Sequence, residues 1–274
     1  MIKIINDDCI KVMERDIAEE SIDLVITSPP YNNSRTCHTD YCMKTNTTRY
    51  AEYDDNKTNE EYCDWCCDIF NHFDRIVKEN GVVLWNVSYG SENPTVMFEC
   101  INDICRKTTW MIADVICWKK NSALPNNVSS NKLTRLCEFV FVFCRDKEYT
   151  TFKANKEVTS ISRTGQPFYS ILYNYIEADN NDGSNDLNKA TFSTDLVLQL
   201  LNMYACRGKD TVVYDPFMGT GTTALACKIL GMSCYGSELS AKQCEYANSR
   251  LEFNGNTKNV VKESESVGKF TWDL

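Results

Sequence analysis

Histidine is nearly absent, with two among 274 residues. That leaves little room for a histidine-built metal centre or a histidine-centred nucleophilic triad. No run approaches the roughly 18 consecutive apolar residues of a membrane-spanning helix, and Met1-Ile2-Lys3 opens without the layout of a secretory leader. A cytoplasmic protein without membrane association is expected. Positive charge is also short, 29 Lys and Arg against 38 Asp and Glu for a net charge of −9, which argues against a generic polyanion binder. Only 6 prolines and 11 glycines, beside 43% hydrophobic residues, exclude collagen-like, fibrous and wholly disordered classes. Cysteine runs the other way at 15. An odd number in so long a chain does not suit a disulfide scaffold, and most should pack as small hydrophobes. Cys63-x-x-Cys66-Cys67, with Cys37 and Cys42 upstream, could be arranged around zinc, but its helical spacing favours core packing and no metal is expected.

The charge is unevenly spread. Residues 1–102 hold 9 Lys and Arg against 19 Asp and Glu, whereas residues 103–170 hold 11 against 6. Lys119, Lys120, Lys132, Arg135, Arg145, Lys147, Lys153, Lys156 and Arg163 lie in this central third, interleaved with Trp118, Phe141, Phe143 and Phe152. Such a stretch is either a solvated face or a local nucleic-acid footprint on an acidic protein.

Periodicity predicts alternating strands and helices, hence an α/β sheet that is largely parallel. Strands are expected at 3–5, 22–27, 82–87, 111–118, 138–144, 211–214 and 233–236. The 111–118 and 138–144 runs read as an antiparallel pair. Helices are expected at 9–20, 59–79 (stopped by Asn80-Gly81), from Pro94 to about 107, 193–206, 222–230 and 240–253. Residues 32–59 read as a long functional loop, 177–188 as an exposed linker, and the tail after Gly255 as frayed.

Two motifs carry chemistry. Asp215-Pro216-Phe217-Met218-Gly219-Thr220-Gly221-Thr222-Thr223 sits between a strand and a helix, where glycines let backbone approach a ligand and the helix start offers free N–H groups. Glu238, at the end of the following strand, is placed to accept from two ribose hydroxyls. The third glycine of a dinucleotide fingerprint is missing. Thr27-Ser28-Pro29-Pro30-Tyr31 ends the 22–27 strand. Its prolines withhold N–H groups, so the strand end presents carbonyls and the Ser28 hydroxyl as acceptors for an amino group. Tyr31 offers a ring for stacking.

Together these motifs resemble the S-adenosylmethionine-dependent DNA amino-methyltransferases. With the catalytic motif ahead of the cofactor motif, the order is similar to that family's permuted beta group. The resemblance implies a Rossmann-like class I methyltransferase fold, a mostly parallel seven-stranded sheet with one antiparallel strand and a small target-recognition insertion. Residues 1–144 would form the catalytic part, 145–187 the insertion and linker, and 188–274 the cofactor-binding part. Ser28, Pro29, Pro30 and Tyr31 would be catalytic. Asp8, Cys9, Thr191, Phe192, Asp215, Phe217, Gly219, Gly221, Thr222 and Glu238 would bind S-adenosylmethionine. Asn188-Lys189-Ala190-Thr191-Phe192 is similar to the segment beside the cofactor's methionine part, although Ser193 stands where a proline is usual. The implied partners are double-stranded DNA and a cognate restriction endonuclease, with the enzyme a monomer or homodimer. Lys119, Lys120, Lys132, Lys153 and Arg163 are the candidate DNA contacts, and the 32–59 loop would close over a flipped base. Ser at the head of the motif favours cytosine N4 as the target, with adenine N6 the alternative. A non-catalytic methyltransferase-fold subunit and an RNA or protein-amide methyltransferase are the readings from other classes.

Overall fold

The computed structural model describes residues 1–32, 53, 55, 57–90, 93–123, 125–127, 130–183, 187 and 191–252. Most of the 32–59 loop, with Cys37 and Cys42, falls outside them, as do Asn188, Lys189, Ala190 and the tail after Gly255. The first part of the chain runs β1 (Ile2–Ile5), α1 (Cys9–Asp16), β2 (Ile22–Thr27), α2 (Asn59–Ile76), β3 (Val77–Val87) and α3 (Val96–Lys107). A pair of long strands follows, β4 (Trp110–Lys120) and β5 (Cys137–Arg145), then β6 (Val158–Ile161), β7 (Pro167–Tyr169) and β8 (Tyr175–Ala178). The last part runs α4 (Thr194–Tyr204), β9 (Val212–Asp215), α5 (Thr222–Leu230), β10 (Ser233–Ser237) and α6 (Ala241–Glu252).

Eight strands form one sheet in the order β1-β10-β9-β2-β3-β5-β4-β8, while β6 and β7 make a separate hairpin. Among the described strands of this sheet only β5 runs against its neighbours. The eighth strand corrects the expected seven. Glu177 and Ala178, expected in an exposed linker, belong to β8, which pairs parallel to the upper half of β4. Its four residues alternate exposed and buried, a signal too short to stand out in a polar stretch. Thus β8 lies within 145–187 yet joins the core sheet.

The central strands are apolar on both faces because helices cover both. Val25 faces α1, α2 and α3 among Phe70, Phe73, Trp85 and Tyr214. Leu24 and Ile26 face α4 and α5 among Leu198, Leu201, Ala224 and Cys227. A capping box opens α2: Thr58 Oγ1 accepts from the Glu61 N–H and Glu61 Oε2 from the Thr58 N–H. The helix ends at Ile76 instead of Glu79, because Val77 already pairs with Ile22 as β3 begins. Asn80, expected to stop the helix, is inside β3 at φ 60°. A Cβ on Gly81 would meet Val77 Cγ1 at 2.5 Å. Helix α1 stops at Asp16, short of the expected Glu20, which has φ 45°.

From β2 the chain moves outward through α2 to β3, whereas from β9 it moves the opposite way through α5 to β10. The carboxyl ends of β2 and β9 therefore flank a topological switch point, where an open α/β sheet leaves a crevice for ligands. Both sequence motifs begin there.

Candidate active site

Beyond Thr27 the chain turns through Ser28-Pro29-Pro30-Tyr31. The Pro30 carbonyl accepts from the buried Tyr62 hydroxyl at 2.7 Å. Among the described residues no hydrogen bond reaches the Pro29 carbonyl. Asn32 then takes φ 53°, a conformation asparagine tolerates, and acts as a staple. Its N–H donates to Asp55 Oδ1 and its amide exchanges two hydrogen bonds with the Lys57 backbone, all at 2.9 Å. This locks the turn, so the Ser28 hydroxyl and Tyr31 ring are held by backbone on both sides.

The Tyr31 hydroxyl lies 2.9 Å from Ser28 Oγ and donates to Glu138 Oε2 at 3.1 Å. The Asn86 amide nitrogen donates to both, at 3.4 Å to Tyr31 and 3.3 Å to Glu138. Lys120 is ion-paired with Glu138 Oε1. Asn86 and Glu138 come from β3 and β5, which place them at the same sheet edge as Ser28.

Across the crevice, β9 ends in Asp215, 1% exposed. Oδ1 accepts from Thr27 Oγ1 at 2.6 Å and from the Phe217 N–H at 3.0 Å, and Oδ2 accepts from Thr223 Oγ1 at 2.6 Å. Asp215 therefore lies beneath the cleft and ties the two motifs together; it is not in the cleft wall. Burial lifts its carboxyl to about 6 against the opposing pull of these hydrogen bonds. The Gly219 N–H donates to Glu238 Oε2 and the Ser240 N–H to Glu238 Oε1, both at 2.9 Å. One lone pair on each oxygen of Glu238 is thus given to the loops it joins.

Gly221 has φ 84°. A Cβ there would stand 2.7 Å from the Ala247 Cβ of α6, so the glycine is required by helix packing, and the residue is absent from the cleft lining. Arg250 of α6 also braces the loop, donating to the Thr220 carbonyl at 2.8 Å and to Thr222 Oγ1 at 3.2 Å.

The cleft encloses about 950 Å³ of space open to solvent. Asp8, Cys9, Ser28, Pro30, Thr191, Phe192, Phe217, Gly219, Thr222 and Glu238 line it, so residues from distant parts of the sequence are brought together. Pro29 and Tyr31 sit just beside it, with Tyr31 lining a smaller pocket under Trp85. Ser193 occupies the position where proline was expected because it caps α4, its Oγ accepting from the Leu196 N–H. Asp8 likewise caps α1. Tyr53, Trp65, Thr220 and Gln243 are lining residues that sequence reasoning missed. Trp65 stacks obliquely on Phe217 at 5.4 Å and on Tyr53 at 5.4 Å, making an aromatic wall. Thr220 had a signal, since it stands between the two glycines. Its buried hydroxyl has no protein partner among the described residues.

The basic residues divide. Lys119 is ion-paired with Glu177 at 3.0 Å, and Lys120 is held by Glu138 and lies over Trp118. Arg145 is buried between Asp74 and Glu148 as an internal brace. Lys153 follows the lower end of β5, where Asn155 bonds to Met203 near the end of α4, so it lies at the sheet edge away from Ser28. Lys132, in the β4–β5 connection at the cleft edge, and Arg163, at the tip of the β6–β7 hairpin, are exposed. Cys63, Cys66 and Cys67 are core residues of α2 facing Cys100. Burial pushes the Cys67 thiol up to about 11, away from the thiolate a metal needs. No cluster suited to a metal ion occurs among the described residues.

A glycine loop and an acceptor-bearing Pro-Pro-Tyr turn that meet across the switch point of such a sheet define a methyltransferase-type α/β enzyme. A family model described as DNA methylase matches residues 22–249. The chain belongs to this family, the S-adenosylmethionine-dependent N4-cytosine/N6-adenine DNA methyltransferases. Among its relatives is the orphan methyltransferase M.BamHII of Bacillus amyloliquefaciens, 23% identical over 271 residues, with 88% of this chain and 92% of that protein covered. The type II methyltransferase M.MwoI of Methanothermobacter wolfeii is 26% identical over 268 residues, covering 94% of this chain and 35% of that protein. In structure, the chain is similar to the PvuII DNA methyltransferase (cytosine-N4-specific), with a TM-score of 0.69 and 17% identity over 96% of this chain and 90% of that one. The M1.HpyAVI–SAM complex gives 0.58 and 21% over 92% and 100%. Among the described residues, no helix is long and apolar enough to cross a membrane.

Proposed function

We propose that this chain is a beta-group DNA methyltransferase that methylates the N4 amino group of a cytosine turned out of the duplex. The observation that carries the reading is the meeting of Ser28 and the cofactor loop in one cleft. The Glu238 carboxylate at the end of β10 suits a nucleoside with ribose hydroxyls, and the wall of Phe217, Trp65 and Tyr53 suits its flat or apolar parts. S-adenosylmethionine supplies an electrophilic methyl group when bound there. The chain's own residues do the rest. Tyr31 stacks the base, and Ser28 Oγ and the Pro29 carbonyl accept its two amino protons. This turns the nitrogen lone pair, otherwise delocalised into the ring, toward the cleft. A base paired in a duplex cannot reach Ser28, so extrusion is part of the reading.

Mass spectrometry of nucleosides from duplex DNA incubated with the pure enzyme and S-adenosylmethionine should show N4-methyldeoxycytidine. N6-methyldeoxyadenosine alone would overturn the base and leave the fold standing. Ser28→Ala should abolish transfer while calorimetry finds cofactor affinity within about threefold of wild type, a change of less than ~1 kcal/mol. Loss of cofactor binding in that variant would show that Ser28 holds the cofactor instead of the amine.

A further inference from the structure

The reading above gives Ser28 an acceptor's role, yet a serine hydroxyl can equally donate. What decides the direction is not in the Ser-Pro-Pro-Tyr motif. It comes from Lys120 at the end of β4, which the sequence offered as a DNA contact, and from Glu138 of β5.

Glu138 is 15% exposed and Lys120 22% exposed, and they form an ion pair at the cleft edge. A carboxylate can only accept hydrogen bonds and an ammonium can only donate them. Lys120 takes Oε1, while Oε2 receives Tyr31 O–H and Asn86 N–H. Tyrosine has a single hydroxyl proton, and here it is given to Glu138. In the 2.9 Å contact between Ser28 and Tyr31, Ser28 must then be the donor. Its one proton is used there, so its remaining lone pairs are all it can present to the cleft.

We infer that Glu138, braced by Lys120, is a positioning residue of the transfer reaction: it fixes the direction of the Glu138–Tyr31–Ser28 hydrogen-bond chain and so makes Ser28 a pure acceptor toward the amine. This rests on the amino-methyltransferase reading. Without the carboxylate, Tyr31 could donate to Ser28, and Ser28 would turn its own proton toward the nitrogen lone pair. That is the wrong polarity, because it ties up the electrons that must attack the methyl carbon. The pair also explains why Lys120, in a basic stretch, is unsuited to a phosphate: its charge is already engaged in the site.

The test is a double-mutant cycle on Tyr31→Phe and Glu138→Gln, read as single-turnover methyl transfer to duplex DNA at saturating S-adenosylmethionine. Phenylalanine keeps the stacking ring and removes the relay hydroxyl, while glutamine keeps the size of Glu138 but can also donate. Each single variant should slow transfer by on the order of tenfold or more, with cofactor affinity by calorimetry unchanged within about twofold. The double variant should be no slower than the slower single, since both cut one chain. Losses that multiply, or a Glu138→Gln enzyme as fast as wild type, would overturn the inference. Should Glu138→Gln melt well below the wild type, Glu138→Asp takes its place in the same cycle. A wild-type protein that methylates no DNA is a separate outcome, and it removes the methyltransferase reading together with the chain that rests on it.

Discussion

Asp215 carries a carboxyl group whose surroundings resist its charge. Burial raises its pKa from the usual carboxylate range to about 6, although three donors favour the ionised form. A carboxyl raised in the folded state binds its proton there before it does in the unfolded chain. Its contribution to stability is therefore greatest below about 4 and declines as pH rises through about 6. Asp215→Asn removes this titration and preserves size. The wild type's melting temperature, relative to Asp215→Asn, should fall between pH 4.5 and pH 7.5, and a difference independent of pH would show that the carboxyl does not titrate in this window. The residue also shows where single-residue reading stops. An acid at a strand end beside a glycine loop serves equally to touch a ligand or to hold the loop that does. Only the partners Thr27, Phe217 and Thr223, two of them hydroxyls on separate elements, decide for the second. By contrast, the place of Ser28, Gly219 and Glu238 in one cleft was legible, because each lies in a motif at the end of an expected strand.

At the scale of elements, α5 and α6 meet where a glycine faces an alanine methyl. Gly221 stands at the head of α5 against Ala247 of α6, in the left-handed region that a side chain enters at a cost of about 1–2 kcal/mol. Gly221→Ala adds a clash to that strain and should lower stability by about 2–3 kcal/mol, measured by denaturant unfolding. Introducing Ala247→Gly alongside it relieves the clash alone, so part of the loss should return. No recovery would mean that backbone strain is the whole effect. Elements with long, consistent patterns were legible: α5 at 222–230, and the antiparallel pair of β4 with β5, follow from their apolar spacing. The end of α2 was not, because Val77-Lys78-Glu79 continues a helical pattern that pairing with Ile22 overrides. Likewise β8 earns its place by docking on β4, a contact no local window contains.

Over the whole molecule, charge and sheet direction together divide the basic third into cations that serve the fold and cations that face outward. Lys132→Glu and Arg163→Glu should each weaken binding to duplex DNA and reduce the slope of log affinity against log salt by about one. Lys153→Glu, at the opposite edge, should leave that slope alone. A slope that changes for Lys153 and not for the other two would place the DNA on the other side of the sheet. The composition hinted at a footprint, but which lysines were already engaged depended on Glu138 and Glu177, which sequence gives no means of pairing with them.

The hydrogen bond from Thr27 to Asp215 joins residues 188 positions apart, and beside it Leu24 and Val25 of β2 pair with Val213 and Tyr214 of β9. Closing so long a loop must precede the contacts that reward it, so this seam adds to the entropic cost of folding. A chain still growing on the ribosome has the whole Ser-Pro-Pro-Tyr turn but lacks the strand that seats it. The cleft is therefore complete only once synthesis has passed β9 and the residues beyond it that line the cleft, Gly219, Thr222, Glu238 and Gln243 among them.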